Sequence, residues 1–185
     1  MTTDVEIIRS RRRTLSLELR RDGRAVLRAP LWVSEREIRR FLAKSEPWLA
    51  ARRQKLADHP AQEPLSEREL KALKSRGKAV FAEKAAYFAP LVGVGYGRVS
   101  VRSQRTKWGS CSSRGDLSFN CLLLLAPEEV LDYVVVHELC HRLEMNHSPR
   151  FWQQVARVLP DCAQRRRWLR DNGGALLDRL PPKGG

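Results

Sequence analysis

Apolar and polar residues alternate near the start of the chain, and longer segments with helical spacing follow. Apolar residues recur at every second position at Leu15, Leu17 and Leu19. Val26 and Leu27 come next, after an Asp22-Gly23 pair that favours a tight turn between two strands. This stretch therefore predicts a β-hairpin.

Two capping boxes mark the expected starts of two long helices. In each box, a serine and a glutamate three residues later can bond the free N–H groups of the first turn. The boxes are Ser34 with Glu37 and Ser66 with Glu69. Pro47 lacks an N–H group and is expected to break the first helix into two pieces. The second helix is expected to reach about residue 88.

The segment between these helices, residues 58–66, contains two prolines and few apolar residues, which indicates a linker. It would separate an N-terminal hairpin and helix subregion, residues 1–57, from a core at residues 67–180. We expect the two parts to form one compact unit overall.

The middle of the chain predicts strands and then a helix. A strand is expected near Arg98–Arg102, followed by a hairpin folded at Ser113–Gly115, and the apolar run Cys121–Ala126 has the length of a strand. Pro127 with two glutamates after it predicts a helix start. Residues 133–136 (YVVV) have a strand-like composition. Because the apolar residues around them keep helical spacing, we predict a helix there.

Two more helices are expected after residue 147. They cover the segments SPRFWQQVARVL and DCAQRRRWLRDNGG, and the second is predicted to be capped by Asp161 and ended by Gly173. Strands and helices in this order predict an α+β fold class.

Composition and charge narrow the class of protein. The chain has 42% hydrophobic and 30% charged residues, so it can build a core, and no apolar run approaches the ~20 residues that span a bilayer. The start of the chain lacks the apolar core of a secretory signal, which favours a cytoplasmic protein without membrane attachment. The four cysteines form no CxxC pair and are expected to be free thiols. A net charge of +14 keeps nucleic acid as a candidate partner.

The histidines point to a metal site. Three of the four in the chain lie between residues 137 and 147. His137 and His141 are four residues apart, so on a helix they share one face and can reach one cation. Glu138 lies at the flank of that face, where it can take a proton from a metal-activated water. The alternative without metal is an amphipathic helix with histidines on a solvated or core face.

A catalytic zinc commonly has three protein ligands and one open position. His147 is the favoured third ligand, provided that the chain reverses after His141. Asn146 tolerates the left-handed conformation that ends a helix, and Pro149 cannot continue the same helix. Glu144 is the alternative third ligand, although it would have to bend back from the same helix.

The segments HELCHRLEMNHSPRFW and RSQRTKWGSCSSRGDLSFNCLLLLAP resemble the YgjP-like bacterial metal-dependent hydrolases, a zincin-like group related to the SprT and WLM groups. The resemblance begins in the N-terminal hairpin and extends to about Trp168. It implies a zincin-like core with a small mixed sheet, an active-site helix and C-terminal helices. It also implies zinc on His137, His141 and His147, with Glu138 catalytic. The metzincins carry glycine where this chain has Glu144, so the resemblance does not extend to them.

The resemblance leaves two substrates open. The fold relatives are peptidases, which favours a polypeptide, whereas YgjP-like proteins are also described as UTP pyrophosphatases. A triphosphate would need cations, and a base would need an aromatic partner. The candidate substrate contacts are Arg102, Arg105, Lys107 and Trp108. A third hypothesis is a basic nucleic-acid-associated protein with a structural metal site. The sequence does not indicate an oligomeric state.

Overall fold

The structure is a computed structural model that describes residues 5–20, 23–58 and 63–181 of the 185-residue chain. The chain forms two compact units, Met1–Ala61 and Gln62–Gly185. The strands are β1 (Val5–Ser10), β2 (Ser16–Leu19), β3 (Ala25–Pro30), β4 (Val99–Arg102), β5 (Gly109–Cys111) and β6 (Leu117–Asn120). The helices are α1 (Glu35–Asp58), α2 (Glu67–Val92), α3 (Glu128–Cys140), α4 (Pro149–Val158) and α5 (Cys162–Leu177), with a 3-10 helix at Cys121–Leu125.

The first unit contains a three-stranded sheet in the order β1-β3-β2. β2 and β3 pair antiparallel, which confirms the predicted hairpin. Gly23 adopts a left-handed φ of 81°, while Asp22 of the predicted turn lies outside the described residues. β1, which the sequence did not single out, pairs parallel to β3. The predicted linker at 58–66 also falls partly outside the described residues.

α1 begins at the predicted capping box, where Glu37 N donates to Ser34 Oγ and Ser34 N donates to Glu37 Oε2. The predicted break at Pro47 is wrong, because the helix continues through it to Asp58. Ile38 and Leu49 lie on opposite sides of Pro47 along the helix, and each is only 1% exposed. Eleven residues are close to three helical turns, so both side chains lie on one buried face and stabilise the continuous helix against the lost hydrogen bond.

The second unit contains a small mixed sheet in the order β4-β6-β5. β4 is parallel to β6, and β5 is antiparallel to β6 across the predicted turn, where Gly115 has a φ of 90°. The expected strand at Cys121–Ala126 is wrong. Asn120 caps a 3-10 helix there by accepting from Leu122 N, and the apolar run fills the core in that form. The α+β class, with a small mixed sheet and C-terminal helices, is confirmed.

α2 packs against this sheet and against α3. Its capping box is formed as predicted, but it extends a turn beyond residue 88 and ends at Gly93 with a left-handed φ of 85°. Phe81 of α2 stacks on Phe119 of β6 at 4.7 Å between ring centroids. Lys84 of α2 forms ion pairs with Glu128 and Asp132 of α3. These contacts fix α3 in the centre of the unit.

α5 shows a second correction to the predicted helix ends. Asp161 occupies the position before the helix but makes no side-chain cap bond, and Gly173 does not end the helix, which continues to Leu177. Gly173 is buried, and a Cβ atom there would lie 2.9 Å from Cζ2 of Trp108. The glycine therefore permits close approach of an indole ring.

Two further predictions concern cysteines and membrane segments. All four cysteines are free, and three of them, Cys121, Cys140 and Cys162, are buried. Within the described ranges, no helix is both long enough and apolar enough to cross a membrane.

Candidate metal centre

α3 is the element that carries the first two histidines. It is helical through residues 133–136, as predicted against their strand-like composition. Apolar residues surround it on most sides, and nine of its residues are buried. A helix that is apolar nearly all round is stable only inside a protein. The core therefore holds the backbone of His137 and Glu138 rigidly.

The chain reverses between α3 and α4 and brings back the third histidine. The reversal does not use a left-handed Asn146, because no described residue other than glycine has a positive φ. Instead, the Asn146 side chain accepts from Ser148 N. Ser148 then caps α4 by accepting from Phe151 N, and Pro149 occupies the first turn. His147 immediately precedes this cap and is thereby directed toward α3.

The structure brings His137, His141 and His147 together. Each pair of imidazole rings has its centroids 4.9 Å apart, so the three rings form an equilateral triangle. One nitrogen from each ring lies within 4.8 Å of the other two, which is a spacing that one metal ion could bridge. Nε2 of His147 lies 3.0 Å from Nε2 of His137.

One hydrogen bond sets the orientation of His141. Its Nδ1 lies 3.0 Å from the backbone carbonyl of Glu144, so an Nδ1–H tautomer donates there and leaves Nε2 for a metal. Glu144 thus contributes its backbone to the site. By contrast, Nδ1 of His137 is buried and has no hydrogen-bond partner among the described residues. The donor set of three imidazoles fits a divalent transition metal.

Phe151 supports all three histidines at once. Its ring centroid lies 4.8, 4.6 and 4.9 Å from those of His137, His141 and His147, and it is fully buried. Trp152 lies 5.8 Å from His147 in a stacked arrangement. Both rings therefore pack against the turn that carries His147.

The protonation states suit metal binding. Burial, together with the neighbouring His141 and His147, lowers the pKa of His137 to about 3. Burial also lowers the pKa of His141. Both imidazoles are therefore neutral at pH 7, which is the form that binds a metal.

Glu138 is the one charged residue that is buried in the described part of the chain, at 5% exposure. Burial raises the pKa of its carboxyl to about 7, and the positive charge of Lys107 opposes that rise. The carboxylate packs against the backbone of Gly109 in β5, where an added Cβ would lie 2.6 Å from Glu138 Oε1. β5 therefore forms the wall of the site next to Glu138.

β5 is also one of the two edge strands of its sheet. Asn120 N of β6 donates to Trp108 O, and Ser112 N donates to Asp116 O, so these backbone groups face the inner side of the hairpin. Because successive residues direct their backbone groups to opposite sides, those of Gly109 and Cys111 face away from β6. No strand of the described residues covers that edge.

The predicted substrate contacts separate into two groups. Lys107 lies on the Glu138 side of the site, two residues before Gly109. Trp108 packs on the core and against Gly173. Arg105 donates to the backbone carbonyl of Pro181, and Arg102 is exposed at the end of β4. Neither arginine contacts the histidines or Glu138 among the described residues.

Two basic residues near the site were missed in the sequence. Arg142 donates to Gly95 O at 3.2 Å and to Ser113 O at 3.0 Å, and so ties two loops to the end of α3. The guanidinium of Arg166 lies 4.4 Å above the ring of Trp152. Arg166 lies in the arginine run 165–167, but nothing in the spacing of either arginine links it to the histidines.

The chain matches a known protein family over most of its length. The family described as YgjP-like, metallopeptidase domain, matches residues 13–72 and 65–172. The solved structure of the metallopeptidase zymogen of Pyrococcus abyssi abylysin is similar to part of the chain, at 22% identity and a TM-score of 0.45. That similarity covers 49% of this chain and 92% of the other. No curated protein matches the chain.

Proposed function

The chain belongs to the YgjP-like metallopeptidase-domain family, and from this premise we propose that it is a zinc-dependent hydrolase with His137, His141 and His147 as ligands and Glu138 as general base. The family implies a metal-dependent hydrolase of the peptidase type. The observation that carries the finer proposal is the triangle of three imidazoles with a buried carboxylate on the next residue of the same helix.

Zinc is the proposed metal because three imidazoles leave one position open in a tetrahedral site. When bound, zinc would polarise the scissile carbonyl and lower the pKa of a water molecule. Glu138 would take up a proton at its carboxylate, and burial favours this because it raises the proton affinity of the group. Glu138 would then donate that proton to the leaving amine. Gly109 would keep the carboxylate in place, since the strand backbone closes off one side.

A polypeptide is the substrate that the edge strand favours. Extended peptides add to an exposed sheet edge through main-chain hydrogen bonds. The free edge of β5 at Gly109 and Cys111 runs beside Glu138, so a peptide bound there would present its carbonyls near the three histidines. Hydrolysis of nucleoside triphosphates such as UTP is the alternative, and the engagement of Arg105 with Pro181 removes one of its expected contacts.

The decisive experiment compares metal content and turnover in matched variants. We expect the purified protein to bind one zinc per chain and to cleave an unstructured polypeptide. Glu138→Gln should keep the metal and lose turnover, whereas His137→Ala should lose both. Glu144→Gln is the matched control: it should keep both if Glu144 contributes only its backbone carbonyl, and loss of metal would make its carboxylate a ligand instead.

The same assay separates the alternatives. A panel of nucleoside triphosphates beside the polypeptide tests the pyrophosphatase, and a Glu138-dependent turnover of triphosphates alone would replace the peptidase proposal. Salt-dependent binding of duplex DNA without any turnover would favour the nucleic-acid-associated protein. A protein that binds no metal and responds to no added zinc would refute the hydrolase altogether.

A further inference from the structure

Two cations lie near the histidine triangle, Lys107 on the side of Glu138 and Arg166 over Trp152, and neither is required to hold a metal. We propose that Lys107 and Arg166 select polypeptide substrates with acidic side chains beside the scissile bond. This inference rests on the proposed peptidase function and names its substrate class.

The first cation, Lys107, is held by a structured loop. Asn120 is 2% exposed, and its Nδ2 donates to Gln104 O at 2.6 Å and to Lys107 O at 3.1 Å. The loop backbone therefore enters β5 in a fixed path, with Gly109 against Glu138. The Lys107 side chain is exposed, and no carboxylate pairs with it among the described residues. Its charge is available to a ligand on the β5 side of the site.

The second cation, Arg166, is held by aromatic stacking. Its guanidinium lies 4.4 Å over the Trp152 ring, and Trp152 in turn stacks beside His147. A cation above an indole face is oriented without losing its charge. Within the described ranges Arg166 has no ion-pair partner, whereas its neighbour Arg165 pairs with Asp161 and donates to Glu129 O. Arg166 therefore lies beside a ring that contacts His147, exposed and without an ion pair among the described residues.

The two cations lie beside different elements. Lys107 immediately precedes the strand that packs on Glu138, and Arg166 lies over Trp152, which contacts His137 and His147. In the proposed binding mode, a peptide along the edge of β5 passes between them, and its successive side chains point to alternate sides. Acidic side chains on both sides of the cleaved bond would then each meet one cation. Basic side chains there would be repelled, which adds selectivity.

The test uses quenched peptides that differ in only one property. Three peptides of the same length would carry glutamate, glutamine or lysine on both sides of one cleavable bond. The wild-type zinc-loaded protein should cleave the glutamate peptide with a higher kcat/KM than the glutamine peptide, and the lysine peptide with the lowest. Arg166→Met and Lys107→Met should each lower the glutamate-to-glutamine ratio about tenfold, which corresponds to about 1.4 kcal/mol.

The controls make each failure distinct. The glutamate-to-glutamine ratio is measured within one protein, so it does not depend on how much of a variant folds. Arg166→Lys should keep most of this ratio, and Arg167→Met should leave it unchanged. Equal turnover of all three peptides would overturn the inference and leave the peptidase intact. No turnover of any peptide would overturn the proposed function. Cleavage of nucleoside triphosphates with the same dependence on Arg166 would assign the cations to phosphate and overturn the acidic polypeptide.

Discussion

Replacing Gly109 with alanine is the most direct test of how the site holds its base. An added Cβ would lie 2.6 Å from Glu138 Oε1, 2.7 Å from Cγ and 2.9 Å from Cδ. Ordinary van der Waals contact begins at about 3.4 Å, so the carboxylate would have to move by about 0.8 Å. Glu138 is buried and has little room to move. A misplacement of about 1 Å in a reacting group costs about 100-fold in rate.

We therefore expect Gly109→Ala to lower kcat on an unstructured polypeptide about 100-fold while zinc content stays at one per chain. The metal should be retained because the clash involves Glu138 and none of the three histidines. Gly95→Ala is the matched control, since a Cβ there would meet no atom within 4 Å. A Gly109→Ala protein with at least half of wild-type turnover, beside an inactive Glu138→Gln protein, would refute the proposed role of the strand wall.

Three further predictions concern stability, each measured as the free energy of unfolding in urea. Gly173→Ala should destabilise the protein by about 1–3 kcal/mol, because the new Cβ meets the Trp108 indole, whereas the same change in an open helix usually gains ~1 kcal/mol. In a Trp108→Phe background this loss of stability should disappear, and its persistence would contradict the clash. Pro47→Ala should stabilise the first unit by about 2 kcal/mol by restoring a helical N–H, and no gain would show that the helix has already adapted. Asn120→Ala should cost about 2–4 kcal/mol because two backbone carbonyls and one N–H lose their partner, and a cost below 1 kcal/mol would count against that network.

The sequence predicted the elements whose signals are local. Both capping boxes, the hairpin turn at Gly115 and the helix start after Pro127 formed as expected, because each depends on hydrogen bonds or dihedral angles within a few residues. The helical spacing of apolar residues in α3 outweighed the strand propensity of its valines, because the core surrounds the helix.

The wrong predictions depend on contacts between distant residues. Pro47 and Gly173 carry local signals for helix ends, but a buried face in α1 and the Trp108 ring beside α5 decide otherwise. The Cys121–Leu125 segment has the composition of a strand, and the Asn120 cap makes it a 3-10 helix. For the site, spacing alone singled out the three histidines and Glu138. The contacts of Gly109 with Glu138 and of Arg166 with Trp152 could not be read from spacing, because each joins two different elements.

The ring of Phe151 beneath the three imidazoles has a consequence for how the centre assembles. This ring and His147 both arrive on the segment that docks α4, whereas His137 and His141 belong to the core helix. A bound ion would thus clamp α4 to α3, and chelation would release local opening of residues 141–158 while the rest of the unit stays folded. Amide hydrogen exchange of α4 should then be faster in the chelated protein than in the metal-loaded protein.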